Sequence, residues 1–159
     1  MAIPIDVARD FYRALQSGQM QWAERLLSND FEARGLVGEP LDKEHFLDLM
    51  ESLHRAMPDL AFDARDFQQL YHGVWLTTTI KGTHTETLFL PETGPIEATG
   101  LCVELPDEHP LLTIEDGEIV RVSADPVEGG GLVGIFDQLG IESPYRPLLP
   151  PAGGEHAGT

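Results

Sequence analysis

The hydrophobic pattern of this chain changes its period at Pro58, and this change constrains the fold more than any other feature of the sequence. Before Pro58, apolar residues recur every three or four positions, as on one face of an α-helix. After Pro58, apolar and polar residues alternate, as in strands that bury one face. Helices followed by consecutive strands predict an α+β fold, in which a helical layer covers one face of an antiparallel sheet.

The local chemistry of the chain places the ends of these elements. Helices are predicted around residues 6–18, 22–27, 42–57 and 132–139. Asp6 and Asp42 are suited to cap the first and third helices, which Gly18 and Pro58 end. Strands are predicted over residues 31–37, 60–65, 74–80, 96–105, 111–114 and 118–125. The last two strands flank Asp116-Gly117, a strong signal for a tight hairpin.

Length and composition favour one acidic domain. Residues 1–142 carry the pattern, whereas residues 143–159 are rich in Pro and Gly and form a tail that can bury little. Lys and Arg total 10 against 27 Asp and Glu, a net charge of −17, which argues against nucleic acid and anionic membranes as partners. Cys102 has no partner for a disulfide, and neither a signal peptide nor a membrane span is evident. We therefore expect a cytoplasmic protein.

One stretch carries a family resemblance. Gly82-Thr83-His84-Thr85, followed by Leu90-Pro91-Glu92-Thr93-Gly94, resembles the SnoaL-like polyketide cyclases of the NTF2-like, ketosteroid-isomerase-like superfamily. Shorter pieces in the same order extend the resemblance over about residues 5–141. It implies a cone-shaped α+β barrel with an internal pocket, usually dimeric through its sheet. It also implies ring closure by acid/base chemistry, without a metal or organic cofactor.

The chain departs from the family at several positions. Relatives often carry Glu and Trp on the last strand, where this chain has Arg121 and Ser123. They often carry Arg-Trp where this chain has Thr77-Thr78, and the segment 106–110 resembles an insertion. These differences exchange pocket aromatics and a carboxylate for hydroxyls and a cation, so they bear on the reaction more than on the fold.

Asp125 is the first candidate catalytic residue. Alternation places Arg121, Ser123 and Asp125 on one face of the last strand, and the resemblance implies that this face looks into the pocket. A carboxylate in an apolar cone has a raised pKa, which suits a general base. Arg121 would keep Asp125 ionised or bind an anionic substrate. The alternative is that Asp125 only caps a turn at the strand end and pairs with Arg121.

His84 is the second candidate, since an imidazole acts as acid or base near neutral pH. Its alternative role is a structural hydrogen bond inside the hairpin. Tyr12 could donate a hydrogen bond to an enolate oxygen, or simply belong to the core. The residues predicted to bind the ligand are Tyr12, Trp22, Phe46, Met50, Thr78, Arg121 and Ser123.

Motifs for cofactors and metals give no positive signal. Residues 129–134 match G-x-G-x-x-G, but too little chain follows for a βαβ unit and no Lys follows for a P-loop. We interpret this run as the entry to the last helix. No H-E-x-x-H motif and no cysteine pair exists. Neither a cofactor nor a metal is therefore expected.

Two classes of function stay open. The first is a pocket protein for a small hydrophobic molecule, with cofactor-free cyclisation or isomerisation by acid/base chemistry. The second is a non-catalytic ligand-binding or dimeric interaction module of the same fold. In either case a homodimer is expected through the outer face of the sheet, with Val120, Val122 and Ala124 as the covered strip.

Overall fold

The computed structural model describes residues 3–145, and within them it confirms the α+β class. The helices are α1 (Pro4–Ser17), α2 (Met20–Leu26), α3 (Lys43–Ala56) and α4 (Gly131–Leu139). The strands are β1 (Leu27–Arg34), β2 (Leu41–Asp42), β3 (Arg65–Gln69), β4 (Gly73–Thr77), β5 (Lys81–Thr83), β6 (Leu88–Leu90), β7 (Gly94–Ile96), β8 (Cys102–Glu104), β9 (Leu111–Glu115) and β10 (Glu118–Ser123).

The helix ends follow the predicted local chemistry, with one correction. Gly18 ends α1 in the left-handed conformation, with φ +76°, which glycine adopts without steric cost. Asp42 caps α3, because its Oδ1 accepts a hydrogen bond of 2.9 Å from the backbone N–H of His45. Asp6 does not cap α1: the helix already begins at Pro4, whose fixed φ suits a first helical position, and Asp6 lies in the first turn.

The main sheet has six strands in the order β2-β1-β10-β9-β4-β3. Its pairs are antiparallel, as predicted, except for β1 with β10, which run parallel, so the sheet is mixed. Asp116 and Gly117 both have positive φ, as the predicted β9–β10 hairpin requires. Two small sheets, β5-β8 and β6-β7, complete the strand pairing of the described residues.

Two predicted strands are interrupted. The segment 74–80 leaves the main sheet after Thr77, and Thr78 pairs as an isolated bridge with Glu108 before β5 begins. The segment 96–105 is broken between β7 and β8, where Gly100 has a φ of +72°. The first interruption takes the chain out of the main sheet, and the second separates the two small sheets, to which β7 and β8 belong.

An irregularity in β10 decides which of its residues face inwards. The pairing register of β10 with β9 shifts between Ile119 and Arg121, and Ile119 and Val122 are both buried. The inward face therefore continues through Val122 and Ala124, whereas Arg121 and Ser123 belong to the outer face. The prediction that Val122 and Ala124 form an outer strip is wrong for this reason.

The apolar core lies between the inner face of the sheet and α1 and α3. Part of the predicted tail is also docked there: Tyr145 packs against Phe136 and its hydroxyl donates a 2.8 Å hydrogen bond to Glu92. Residues 146–159 of that tail lie outside the described residues. No helix within residues 3–145 is long and apolar enough to cross a membrane.

Candidate functional site

An internal cavity of about 70 Å³ lies between α1, α3, α4 and the inner face of the sheet. Most of its wall is apolar and is supplied by side chains that include Phe11, Leu15, Phe46, Met50, Leu53, Phe62, Leu105, Val122, Leu132 and Ile135. Three buried polar side chains also line it: Tyr12 from α1, Thr78 and Glu108. An apolar space with a few convergent polar groups is the usual form of a small-molecule site.

Glu108 brings a carboxylate into this apolar space. The residue is 7% exposed, and its Oε2 accepts a hydrogen bond of 3.3 Å from the backbone N–H of Gly131. Burial raises the pKa of Glu108, and the Gly131 hydrogen bond offsets part of this effect. Its environment thus moves the carboxyl group towards the pH range in which it can both accept and return a proton.

Backbone pairing directs Glu108 inwards. Glu108 and Thr78 exchange both backbone hydrogen bonds, each 2.9 Å long. The neighbours of Glu108 bind on the outside, since Asp107 accepts a 2.5 Å hydrogen bond from the Thr79 hydroxyl and His109 lies 3.2 Å from the Thr77 hydroxyl. The segment 106–110 therefore behaves as a short strand beside residues 77–79, with alternate side chains on opposite faces.

The glycine run 129–134 packs closely around this carboxylate. A Cβ on Gly130 would lie 2.7 Å from Val127 Cγ2 and 3.1 Å from Glu108 Oε2. A Cβ on Gly134 would lie 2.1 Å from the backbone oxygen of Gly129. The run leads into α4, as interpreted from the sequence, and in addition it presents the Gly131 N–H to Glu108.

Tyr12 of α1 adds a phenol to the cavity lining. Its side chain is 7% exposed, and its ring packs edge-on against Phe11 at 5.2 Å and Phe62 at 6.0 Å. Burial, reinforced by the charge of Glu108, raises the pKa of Tyr12, so the hydroxyl keeps its proton. Within the described part of the chain we find no hydrogen-bond partner for this hydroxyl, which leaves it free to donate to a ligand.

The predicted carboxylate Asp125 does not lie in the cavity. Its side chain is exposed and is absent from the lining, and Arg121 and Ser123 also lie outside. The irregularity in β10 is the physical reason, because it moves Val122 and Ala124 inwards in their place. Nor does Arg121 pair with Asp125 among the described residues, as it approaches Glu32 at 3.9 Å instead.

His84 is buried outside the cavity, in the β5–β8 region. It is 1% exposed, and its Nδ1 accepts a 3.2 Å hydrogen bond from the backbone N–H of Thr99. Its Nε2 has no partner among residues 3–145. Burial lowers the pKa of the imidazole. This environment corresponds to the structural role that the sequence left as the alternative.

The remaining predicted ligand contacts divide between two places. Phe46, Met50 and Thr78 line the cavity together with Tyr12, whereas Trp22 lines a groove on the surface.

Sequence reasoning missed Glu108, because Asp107-Glu108-His109 between two prolines resembles an exposed loop. The only signal was an acidic residue three positions before the apolar strand β9, and its pairing with Thr78 is not visible in the sequence.

Within residues 3–145 no group of three or more His, Cys, Asp or Glu side chains is arranged to hold a metal ion. The buried acid/base groups in the cavity lining are Glu108 and Tyr12, with the hydroxyl of Thr78 as a further buried polar contact. Such a set can remove a proton from a bound molecule and stabilise the charge that forms on an oxygen.

Comparison with known proteins identifies the family. The SnoaL-like polyketide cyclase family matches residues 6–124, whereas no curated protein matches the chain. AclR of Streptomyces galilaeus, a candidate hydroxylase, is 18% identical, with a TM-score of 0.66, over 85% of this chain and 93% of its own. IdmH of Streptomyces antibioticus, a candidate polyketide cyclase, is 23% identical, with a TM-score of 0.65, over 88% of this chain and 100% of its own.

A third similar structure, a candidate polyketide cyclase of Pseudomonas putida, is 22% identical, with a TM-score of 0.64, over 87% of this chain and 98% of its own. These likenesses cover nearly the whole of each known structure and support the same architecture. As the sequence resemblance implied, the fold is NTF2-like, and this chain belongs to the SnoaL-like polyketide cyclase family.

Proposed function

We propose that the protein catalyses a cofactor-free isomerisation or cyclisation of a small hydrophobic carbonyl compound in the internal cavity. The observation that carries this proposal is the placement of Glu108, a buried carboxylate in a mostly apolar cavity whose lining also includes Tyr12. Family membership supports cyclase-like chemistry, although members of one fold often differ in their reactions.

In this reaction Glu108 is the general base. Its carboxylate takes a proton from the carbon next to the substrate carbonyl, and the electron pair of the broken C–H bond moves to the carbonyl oxygen. Tyr12 donates a hydrogen bond to the resulting enolate oxygen, whose negative charge is best stabilised by a preorganised donor. The raised pKa of Tyr12 suits a donor that stays protonated throughout.

The second half of the reaction returns the proton. In an isomerisation, Glu108 gives it to a different carbon of the same enolate. In a cyclisation, the enolate carbon forms a bond to a second carbonyl carbon of the substrate, and the new alkoxide takes the proton from Glu108. Either route restores the starting state of the protein and consumes no cofactor.

The alternative function is a non-catalytic ligand-binding or interaction module, and the small size of the cavity favours the interaction module. The cavity measures about 70 Å³, whereas an engineered apolar cavity that binds benzene measures roughly 150 Å³. A polycyclic ligand therefore requires side chains such as Met50 to move before it can enter. A protein whose cavity stays closed would use its surface instead.

Isomerisation of cyclohex-3-en-1-one to its conjugated isomer, followed by ultraviolet absorbance, tests the proposal. We expect Glu108→Gln to lower the rate at least ~100-fold, since a positioned base contributes roughly 10²–10⁴-fold. Tyr12→Phe should lower the rate ~10-fold or more, and Asp125→Asn should leave it unchanged.

The comparison of Glu108→Gln with Asp125→Asn decides which of the two carboxylates is the base. A rate that depends on Asp125 and not on Glu108 would restore the assignment made from the sequence and reject the proposed base. Absence of turnover together with saturable binding of the ketone, measured by thermal shift, would favour the non-catalytic alternative.

A further inference from the structure

A surface groove lies on the other side of Tyr12 from the internal cavity. We call it the outer groove and define it by Arg9, Tyr12, Arg13 and Gln16 of α1, Trp22 of α2 and Phe67 of β3. The α1 residues lie on one face of the helix because they are spaced three or four positions apart. The groove measures about 690 Å³, against about 70 Å³ for the cavity.

The charged side chains that line the outer groove are cationic, although the molecule as a whole is acidic. The chain has 10 Lys and Arg against 27 Asp and Glu, yet the lining contains two guanidinium groups and no carboxylate. Arg9 and Arg13 approach Asp6 and Asp10 of the same helix at 3.9 Å and 3.4 Å. Exposed pairs of this kind contribute little, typically under about 1 kcal/mol, so both guanidinium groups remain available to an anion.

Aromatic faces lie beside these charges. The guanidinium carbon of Arg9 stands 5.4 Å from the centre of the Phe67 ring, which holds the arginine over the groove. Trp22 is half-buried on the α2 side of the same groove. Aromatic rings offer flat apolar contact area, and guanidinium groups bind carboxylates through paired hydrogen bonds.

We propose that the outer groove binds a small organic anion with a flat aromatic body. The body packs against Trp22 and Phe67, while its carboxylate pairs with Arg9 and Arg13. The occupant is a small molecule rather than a polyanion, because the net charge of −17 repels an extended chain of negative charges.

The position of Tyr12 connects this groove to the cavity. Tyr12 lines both spaces, so its ring is a shared wall between the large groove and the small cavity. A ligand seated in the groove touches the phenol that the proposed reaction uses. Binding in the outer groove does not depend on the proposed function.

Nuclear magnetic resonance titration with 2-naphthoate tests the inference, with the uncharged 2-naphthamide as the matched probe. The indole N–H of Trp22 reports on the groove, and that of Trp75, on the outer face of the sheet, serves as an internal control. We expect 2-naphthoate to shift the Trp22 resonance saturably and 2-naphthamide to bind at least ~10-fold more weakly. Added salt should weaken naphthoate binding.

Substitutions separate the groove from general surface charge. The double variant Arg9→Gln with Arg13→Gln should lose at least ~10-fold in naphthoate affinity. Arg55→Gln should bind as the unmodified protein does, since Arg55 is an exposed, ion-paired arginine of α3 outside the groove. Thermal melts of both variants check that the fold is kept.

Several results would overturn the inference: no binding of 2-naphthoate, equal binding of the two probes, unchanged affinity in the double variant, or a response at Trp75 in place of Trp22. Naphthoate binding without any isomerase activity would keep the groove and reject the proposed reaction. Activity that depends on Glu108 without naphthoate binding would keep the proposed reaction and reject binding in the groove.

Discussion

At the scale of single residues, burial shifts the pKa values of two titratable groups in opposite directions. Burial raises the pKa of Glu108 in the cavity and lowers that of His84 outside it. The reason is common to both, since burial disfavours the charged form, which is the ionised carboxylate for Glu and the protonated ring for His. Each residue therefore makes the stability of the fold depend on pH in its own range.

Glu108→Gln should make the protein more stable at neutral pH while removing the proposed base. Because the folded pKa lies above the ordinary value of 4.5, the contribution of Glu108 to stability is complete below that value and declines as pH rises through the raised pKa. The variant lacks this decline because an amide does not ionise, and its amide oxygen can still accept the hydrogen bond from the Gly131 N–H. Urea unfolding at about pH 4 and about pH 7 measures the difference, which should favour the variant only at the higher pH.

A destabilised Glu108→Gln variant at neutral pH would show that the ionised carboxylate is well accommodated, and would contradict the effect of burial. The exposed Glu118, changed to Gln, provides the control, because it lies outside the cavity.

His84→Gln should reduce the loss of stability in mild acid. The folded pKa lies below the ordinary 6.5, so the contribution of His84 is present above 6.5 and is lost as pH falls below it. Glutamine can accept the Thr99 hydrogen bond and does not take up a proton. The difference in unfolding free energy between about pH 7.5 and about pH 5.5 should be smaller in the variant.

The exposed His72, changed to Gln, is the matched control for this series. An identical pH dependence in His84→Gln and the unmodified protein would mean that His84 does not carry the acid sensitivity.

At the scale of elements, the entry to α4 and the segment 106–110 hold each other in place. The Gly131 N–H binds Glu108, and Glu108 is fixed through its backbone to Thr78. Glycine is required at Gly134, where the backbone oxygen of Gly129 approaches within 2.1 Å of the place that a Cβ would occupy. The helix therefore cannot shift without disturbing the carboxylate.

Gly134→Ala should destabilise the protein by about 1–3 kcal/mol, since the clash with Gly129 forces the entry of α4 to move. We also expect reduced turnover of cyclohex-3-en-1-one, because the Gly131 donor moves with that entry. Chemical denaturation and the ultraviolet assay measure the two effects.

Gly94→Ala is the control for the steric clash. Gly94 has a φ of +70°, which disfavours alanine, but no atom lies within 4 Å of the place that a Cβ would occupy. It should cost about 1 kcal/mol without affecting turnover. Equal effects of the two substitutions on turnover would argue against the coupling of α4 to Glu108.

At the scale of the whole molecule, we propose a homodimer through the outer face of the six-stranded sheet. Leu111, which is 36% exposed, pairs with Trp75 on the neighbouring strand, and Trp75 stacks on His109 at 4.7 Å. This apolar area replaces the strip predicted from Val120, Val122 and Ala124. An apolar patch on a sheet face favours association.

Leu111→Lys should shift the protein towards the monomer, and salt should strengthen association of the unmodified chain, since two subunits of charge −17 repel each other. Light scattering at micromolar concentration and two salt concentrations measures both effects. A monomer under all conditions would reject the homodimer, and a dimer that tolerates Leu111→Lys would place its interface elsewhere.

The sequence by itself determined the features that depend on neighbouring residues. The change of period at Pro58, the Asp42 cap, the glycine end of α1 and the Asp116-Gly117 hairpin all follow from local backbone preferences. Together with the resemblance, they were enough for the α+β class and the family. The same local rules also placed Tyr12, Phe46 and Met50 on the inner faces of their helices.

Only the tertiary structure decided which carboxylate enters the cavity. Strand alternation assigned that place to Asp125, but an irregularity between Ile119 and Arg121 reverses the faces of β10, and a shift of one residue is enough to do so. Glu108 takes the place because its backbone pairs with Thr78, far away in the chain. Such pairing depends on how the sheet closes around the core, which no local pattern of residues encodes.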